Sequence, residues 1–342
     1  MNTPRQTILV TGAAGLIGGE VCARAVAAGH RVLALVRNTP VVRGNDGVEV
    51  GVTRTLAGDV TQPDLGLGAQ DIGAIDCVIH CAAALDFDAP RAVLDPVNVE
   101  GTRNVVSFAN LRSARLIHVS TAYVCGTAEG TILEGLVPEA THFANNYEAS
   151  KAAAERVVED GAASWCIARP SIVLGEHGSG TIRDFPALCA IFRFMAQGAM
   201  PVLPASSAAT LDLVPIDHVA QGLLSLAEAG DAACGRHFHL VSGSPLPARI
   251  LADVVRAVDH FPDPVVVDPA QFDPAALSPT QRRVAARMLA TFGGYMTRAP
   301  HFDDGGFRAL TGIACPPTDA QWLRRLVEYG IGRGFLPQRT SG

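Results

Sequence analysis

Tyr147 and Lys151 stand four residues apart in Asn146-Tyr147-Glu148-Ala149-Ser150-Lys151. On a helix this spacing puts a phenol and an ammonium on one face. An ammonium beside a phenol stabilises the phenolate and lowers the phenol's pKa towards the working range. Such a tyrosine can give a proton to a carbonyl oxygen as a hydride arrives, or take one in reverse. Thr121, with Ser120 as the weaker choice, can hold the same oxygen by a hydrogen bond. The two hydroxyls close the apolar run Leu116-Ile117-His118-Val119, which reads as a strand over 116–121. Hydroxyls at the C-terminal edge of an α/β sheet lie where such sheets bind ligands. Asn98 falls inside an apolar-faced helix expected over 95–112. An amide there disfavours the helix slightly, so it is expected to make a specific hydrogen bond.

Upstream, Thr11-Gly12-Ala13-Ala14-Gly15-Leu16-Ile17-Gly18 joins the apolar run 6–10, a buried strand, to a helix expected over 19–28. Glycines let the backbone turn tightly and let a pyrophosphate approach. The helix N-terminus offers free N–H groups and a partial positive charge. Gly12, Ala14, Gly15, Leu16, Ile17 and Gly18 are therefore candidate nucleotide-binding residues. The second strand, 31–36, ends at Arg37. An acid at this end would take the ribose 2′-hydroxyl of NAD, whereas an arginine suits the 2′-phosphate of NADP by charge and by its forked donors. NADP(H) is favoured over NAD(H); a solvated Arg37 in a pocket that accepts both is the alternative.

Asp59, followed by Val60, comes after a third strand within 50–59. It can accept a hydrogen bond from an adenine amino group, or cap a helix. Residues 77–80 form a further buried strand that runs into Cys81, Ala82 and Ala83, small residues against which a cofactor can lie close. His80 reads equally as a satisfied packing residue and as a ligand contact. The strand 165–168 runs on through Arg169 into Pro170, Ser171, Ile172 and Val173, a rigid exit with one apolar wall for a nicotinamide. The alternation of strand and helix predicts a parallel doubly wound sheet with right-handed crossovers.

After about residue 176 the rhythm changes. Gly178-Ser179-Gly180-Thr181 reads as a flexible connection. Helices are expected over 184–196, 248–260, 279–292 and 318–330, with strands at 211–216 and 236–241 and a helix capped by Asp217. The expected architecture is α/β: a Rossmann-type sheet domain over 1–176, its core taking in parts of 205–245, and a smaller, mainly helical substrate lobe over 177–342. Phe192, Phe194, Met195, Met200, Phe292, Tyr295 and Met296 are available to line an apolar pocket, though such residues more often form plain core.

The 342 residues are 48% hydrophobic and 18% charged, so a sizeable core is affordable and disorder is not expected. The net charge is −6, from 27 basic against 33 acidic residues, and no basic run points to nucleic acid. No apolar stretch approaches the roughly 20 residues that span a bilayer, and the chain enters its first strand without a leader. A cytoplasmic protein is the expectation. None of the eight cysteines forms a Cys-x-x-Cys pair, so neither disulfides nor zinc are expected. His237 and His239 alternate along a strand, but no third ligand stands near them in sequence, and no metal site is expected.

Taken together, the glycine turn, Gly58-Asp59-Val60, His80-Cys81-Ala82-Ala83, Asn98-Val99-Glu100-Gly101-Thr102, Ser120-Thr121-Ala122-Tyr123-Val124, Tyr147-Glu148-Ala149-Ser150-Lys151 and Arg169-Pro170-Ser171 resemble the extended short-chain dehydrogenase/reductase superfamily. The resemblance covers about residues 6–250. It implies catalytic roles for Thr121, Tyr147 and Lys151, with Asn98 supporting a proton-relay water. It also implies cofactor contacts from Tyr147 and Lys151, and a homodimer through the 95–112 and 147–160 helices as a family expectation. Arg37, the strand end 119–124, Arg169-Pro170-Ser171-Ile172-Val173-Leu174-Gly175, Leu213-Val214-Pro215-Ile216-Asp217, Phe302-Asp303-Asp304 and Cys315-Pro316 are similar to the thioester-reductase and fatty acyl-CoA reductase (male-sterility-like) branch. No adenylation or carrier-protein motif is found, so a thioester substrate would arrive from a separate carrier or as a CoA ester.

Two enzyme readings stand. In the first, an NADPH-dependent reductase converts an acyl thioester to an aldehyde or alcohol. In the second, the same residues act on a ketone or secondary alcohol, steroid-like or sugar-like. A nucleotide sugar calls for basic residues at its pyrophosphate, and Arg183, Arg193, Arg249, Arg282, Arg283 and Arg287 are available. A nucleotide sensor without turnover is a third class, against which the Tyr147 and Lys151 pair argues.

Overall fold

The computed structural model describes residues 4–139 and 141–338. Residues 1–3 and 339–342, the ends of the two expected domain spans, lie outside it. The first half of the chain gives β1 (Thr7–Thr11), α1 (Leu16–Ala27), β2 (Arg31–Val36), β3 (Arg54–Ala57) and β4 (Cys77–His80). It continues with α2 (Arg91–Asp95), α3 (Gly101–Leu111), β5 (Arg115–Val119), β6 (Gly130–Ile132), α4 (Asn146–Gly161), β7 (Trp165–Pro170) and β8 (Ile172–Leu174). The second half gives α5 (Cys189–Ala196), β9 (Val202–Pro204), β10 (Thr210–Leu211), β11 (Leu213–Pro215), α6 (Ile216–Glu228), β12 (Arg236–Leu240) and β13 (Leu246–Pro247). It ends in α7 (Ile250–Arg256), β14 (Val265–Val267), α8 (Pro279–Phe292), β15 (Pro300–Phe302), α9 (Gly305–Thr311) and α10 (Ala320–Gly332).

Seven strands form one sheet in the order β3-β2-β1-β4-β5-β7-β12, and every pairing is parallel. A parallel sheet is covered on both faces, which is why β1 and β4 are buried at every position and mostly apolar. Alternate residues serve the two faces. Ile8, Val10, Val32, Ile79 and Ile117 pack with Val21 and Cys22 of α1 and Val219 and Leu223 of α6. Leu9, Leu33, Val78 and Leu116 pack with Val105 and Phe108 of α3 and Val158 of α4. Each such side chain contributes about 1.5–3 kcal/mol by leaving water. The chain steps from β1 to β2 and β3 on one side, then back to β4 and beyond on the other. This reversal opens a crevice at the C-terminal ends of β1 and β4. A third cluster, built around Phe192, Leu211, Phe302 and Trp322, holds the later elements together.

The observed elements depart from the expected ones where proline or a change of partner intervenes. The helix expected over 95–112 is interrupted. Pro96 has no N–H, and residues Pro96–Glu100 form a widened π turn between α2 and α3, with Asn98 on it. The helix expected from Asp184 begins only at Cys189, after Pro186. The strand expected over 211–216 breaks at Asp212, because β10 pairs antiparallel with β13 whereas β11 pairs parallel with β8. Pro215, not Asp217, caps α6; Asp217 lies in its first turn and accepts from the His177 N–H at 3.0 Å. The Gly178–Thr181 stretch is a packed turn and not a free connection. Gly180 donates to Glu176 O and Glu176 to Thr181 O, and a Cβ on Gly180 would run into the backbone of Arg325 and Leu326. Among the described residues no helix is long and apolar enough to cross a membrane.

Candidate active site

A cavity of about 670 Å³ opens at the crevice. Gly12 sits at φ +65°, and a Cβ there would lie 2.7 Å from the Ala82 nitrogen. Gly18 likewise presses against the Gly12 carbonyl. The turn thus lies directly against the residues that follow β4, and Gly15 starts α1 facing the cavity. All six candidate residues of the turn line the cavity, as do Arg37, Asp59, Val60, Cys81, Ala82, Ala83, Pro170, Ser171, Ile172 and Val173. Asp59 spends one carboxylate oxygen on Thr61, accepting from its N–H and its hydroxyl at 2.9 Å each, so it shapes the turn it also exposes. Burial pushes the Cys81 thiol up to about 12, so it is a neutral wall. Ser171 donates its proton to Asp212, a buried carboxylate that also accepts from the N–H and hydroxyl of Ser242.

Thr121 and Tyr147 line the same cavity. The Thr121 oxygen accepts from the Tyr123 N–H at 3.3 Å, which leaves its own proton free to donate. Ser120 also faces the cavity, and its buried hydroxyl has no partner among the described residues. Lys151 and Asn98 stand behind the wall. The Lys151 ammonium, 1% exposed, donates to Val119 O at 2.8 Å and to His118 Nε2 at 3.2 Å. Asn98 accepts from the Ala84 N–H at 2.7 Å and donates to Ala84 O at 3.1 Å and Ser150 Oγ at 2.9 Å. It therefore ties the loop after β4 to α4.

The expected lowering of the Tyr147 phenol is not what this arrangement gives. Burial, then the neighbouring Glu148 carboxylate, pushes it up. Helical spacing does put both side chains on one side of α4, but the lysine's ammonium is bonded at the end of β5. The phenol packs instead with Phe87, Ala89 and Leu94, the Phe87 ring edge-on at 5.2 Å. Burial in turn pulls Lys151 down to about 8, against the opposing pull of Glu155 and Cys81.

His80 resolves as a satisfied polar residue inside a directed chain. Thr102 donates to Asn98 O at 2.7 Å, so it must accept from His80 Nε2 at 3.1 Å. His80 Nδ1 then accepts from the Thr11 hydroxyl at 2.7 Å, and Thr11 in turn accepts from the Ala82 N–H at 3.3 Å. The ring is neutral with its proton on Nε2. Burial, reinforced by Lys151, holds it down at about 3. The His118 ring, also fully buried, is pushed well below its ordinary value by burial first, then by Lys151 and His80.

The later part of the chain supplies the other end of the cavity: Pro186, Ala187, Leu188, Phe292 and Tyr295, facing Phe87 and Tyr123. Of the aromatic and Met residues singled out in sequence, Phe292 and Tyr295 reach the cavity. Phe192, Met195, Met200 and Met296 are buried core, and Phe194 packs against that core. Phe87, Pro186, Ala187 and Leu188 lie on irregular segments, where no periodicity could single them out. The arginines are elsewhere. Arg183 clasps Ala14 O and Arg43 O from outside, Arg193 lies over the Phe194 and Phe335 rings, and Arg282 donates to Pro274 O and Leu277 O. Among the described residues Arg37 is the one Lys or Arg on the cavity wall.

His237 does have acidic neighbours, which only the tertiary structure brings. Glu155 and Glu159, one helical turn apart on α4, place carboxylate atoms within 4.8 Å of its ring and of each other. Glu155 is already engaged by Arg169 in a two-point ion pair at 2.9 and 2.7 Å, and Glu159 bonds His237 at 2.8 Å. His239 is turned to Asp303 O at 2.6 Å.

A seven-stranded parallel sheet, a glycine turn at its switch point and a Thr, Tyr and Lys set beside one cavity define a nicotinamide-dependent oxidoreductase of the extended short-chain dehydrogenase/reductase type. A family model described as male sterility protein, an NAD-binding family, matches residues 10–223, and the chain belongs to that family. Two relatives show its range. A hybrid PKS-NRPS synthetase of Talaromyces variabilis is 31% identical over 65% of this chain, which spans only 6% of that protein. A 2-alkyl-3-oxoalkanoate reductase of Stenotrophomonas maltophilia is 29% identical over 75% of this chain and 76% of its own length. Among solved structures, the terminal R domain of the myxalamid PKS-NRPS pathway superposes with a TM-score of 0.83 at 24% identity, over 98% of this chain and 92% of that one.

Proposed function

We propose that the chain is an NADPH-dependent reductase of an acyl thioester, presented as a CoA ester or on a carrier protein, giving an aldehyde and in a second round an alcohol. One observation carries the choice of substrate. The end of the cavity beyond Thr121 and Tyr147 is apolar and aromatic, with no cation on its wall to meet the diphosphate of a nucleotide sugar. The similarity to the hybrid PKS-NRPS synthetase supports the same reading.

NADPH, when bound, supplies the hydride. The Thr121 hydroxyl, its proton free, holds the substrate oxygen. Tyr147 donates the proton that this oxygen gains, and burial of the phenol keeps that proton in place until the oxygen develops charge. Lys151 holds a positive charge behind the phenol. The hemithioacetal then expels its thiol and leaves the aldehyde. The glycine turn seats the pyrophosphate, and Arg37, with Asn38 and Thr39 beside it on the wall, meets the 2′-phosphate. A second reading, reduction of a ketone, draws on the oxoalkanoate reductase, three quarters of whose length is matched.

The test follows nicotinamide absorbance with NADPH and NADH against a long-chain acyl-CoA and a panel of ketones and aldehydes. NADPH oxidation with acyl-CoA and release of free thiol supports the thioester reading. Turnover confined to ketones overturns it in favour of the second. Arg37→Ala is expected to raise the KM for NADPH about 10- to 100-fold, as loss of a charge-assisted contact would, and to leave NADH unchanged. Equal effects on both nucleotides would remove Arg37 from its role.

A further inference from the structure

One side chain on the wall of the cavity, Tyr295, is held from several sides. Tyr295 is 5% exposed and lies on the turn after α8. Its hydroxyl donates to Glu148 Oε1 at 2.9 Å. Glu148, fully buried and next in sequence to Tyr147, also accepts from Arg298 Nη2 at 2.7 Å and from the Ala144 N–H at 3.0 Å. The Arg298 guanidinium lies 4.5 Å from the centre of the Tyr295 ring and 5.1 Å from that of Tyr123. The Tyr123 ring meets Tyr295 edge-on at 4.9 Å. The Tyr295 ring is thus fixed at its tip by a buried ion pair and on its face by a cation, and it meets the Tyr123 ring in a T-shaped contact. Tyr295, Met296 and Phe302 belong to one packed core.

We propose that Tyr295 is the specificity-determining residue of this cavity: its fixed ring is the stop that limits the length of the apolar chain carried by the substrate. This rests on the reading of the cavity as an acyl site. A ring held at tip and face cannot swing aside for a longer chain, unlike the flexible side chains that give promiscuous sites their tolerance. Removing it joins the space it fills to the cavity. A methylene that finds a place there gains about fourfold in affinity, the transfer free energy of one buried CH₂.

The experiment measures two profiles on wild type, Tyr295→Ala, Tyr295→Leu and Tyr295→Phe. One is binding of a non-reducible alkyl-CoA thioether series from butyl to hexadecyl; the other is kcat/KM for the matching acyl-CoA series. Circular dichroism and NADPH binding check the fold, and Leu stands in should Ala not fold. The expected result is a cut-off in wild type and in Tyr295→Phe, and a shift of the binding profile to longer chains in Ala and Leu by about fourfold per added methylene. Wild-type binding profiles in Ala and Leu, or no chain-length dependence in any protein, overturn the proposal. A shifted binding profile without thioester turnover keeps the role of Tyr295 and removes the thioester reading. Turnover with unshifted profiles does the reverse.

Discussion

Two charged side chains, three residues apart on α4, are both removed from water and are treated in opposite ways. Glu148 is surrounded by donors: Arg298, Tyr295 and the Ala144 N–H. Among the described residues Lys151 bonds only neutral acceptors, the Val119 carbonyl and the His118 ring. A carboxylate that acts on it, Glu155, is itself paired with Arg169. A buried charge with a full complement of partners is locked, because breaking any contact leaves the others uncompensated. A buried charge without a counter-ion is poised to respond to what enters beside it, and its depressed pKa is the sign of that. Glu148 is therefore assigned to the scaffold of the cavity, and Lys151 to the chemistry proposed for it.

This contrast can be broken from either side. Lys151→Met should lower turnover by about 10²- to 10⁴-fold while changing unfolding free energy by less than about 2 kcal/mol, since an apolar isostere replaces an uncompensated charge. Parallel assay and denaturant titration check this, and a large loss of stability with intact turnover would reverse the two roles. Arg298→Met should do the opposite. It strands Glu148 and costs about 3–5 kcal/mol of stability, with under tenfold change in turnover measured where the protein is still folded. The double variant Glu148→Gln, Arg298→Met should recover most of that stability, and no recovery would mean that Arg298 acts through its stacking alone.

The pH dependence sharpens the comparison further. Lys151 is held at about 8, so the ammonium is present below that value and is lost as pH rises through it. The nucleotide-free enzyme should lose kcat/KM above about pH 8, a limb absent from the residual activity of Lys151→Met. The last test concerns His80. Its folded pKa of about 3 lies below that of an unfolded histidine, so between about pH 6.5 and 3 the unfolded chain binds the extra proton. Stability must therefore fall as pH falls through this window, by up to about 1.4 kcal/mol per pH unit. Acid titrations of His80→Gln should show a shallower slope, and an unchanged slope would assign the effect to His118 or other groups.

Much of the nucleotide end was legible because it is written in contiguous residues. A glycine turn between a strand and a helix, an arginine at the end of β2 and small residues after β4 each carry their reason locally. The alternation of strand and helix then gives a parallel doubly wound sheet, whereas the order of its strands came from the structure. The substrate end was not legible. Phe87 and Leu188 lie in irregular segments, and Tyr295 and Met296 are adjacent residues that were both read as available to line a pocket, yet of the two only Tyr295 lines the cavity. The spacing of Tyr147 and Lys151 puts both on α4 one turn apart, whereas burial and Glu148 push the phenol in the direction opposite to the one the spacing suggests. Spacing fixes the positions of two Cβ atoms and leaves open where a four-carbon side chain finds its acceptor.

The sequence by itself determined the parallel sheet, the turn at its switch point and the identity of the residues beside it, because strand, turn and helix signals act over a few neighbours. Only the tertiary structure decided which charges are paired, which ring walls the cavity and how Glu155 and Glu159 come to stand by His237. Those outcomes depend on burial and on partners between about 80 and 150 residues away, and burial is a property of the packed chain, not of any stretch of it.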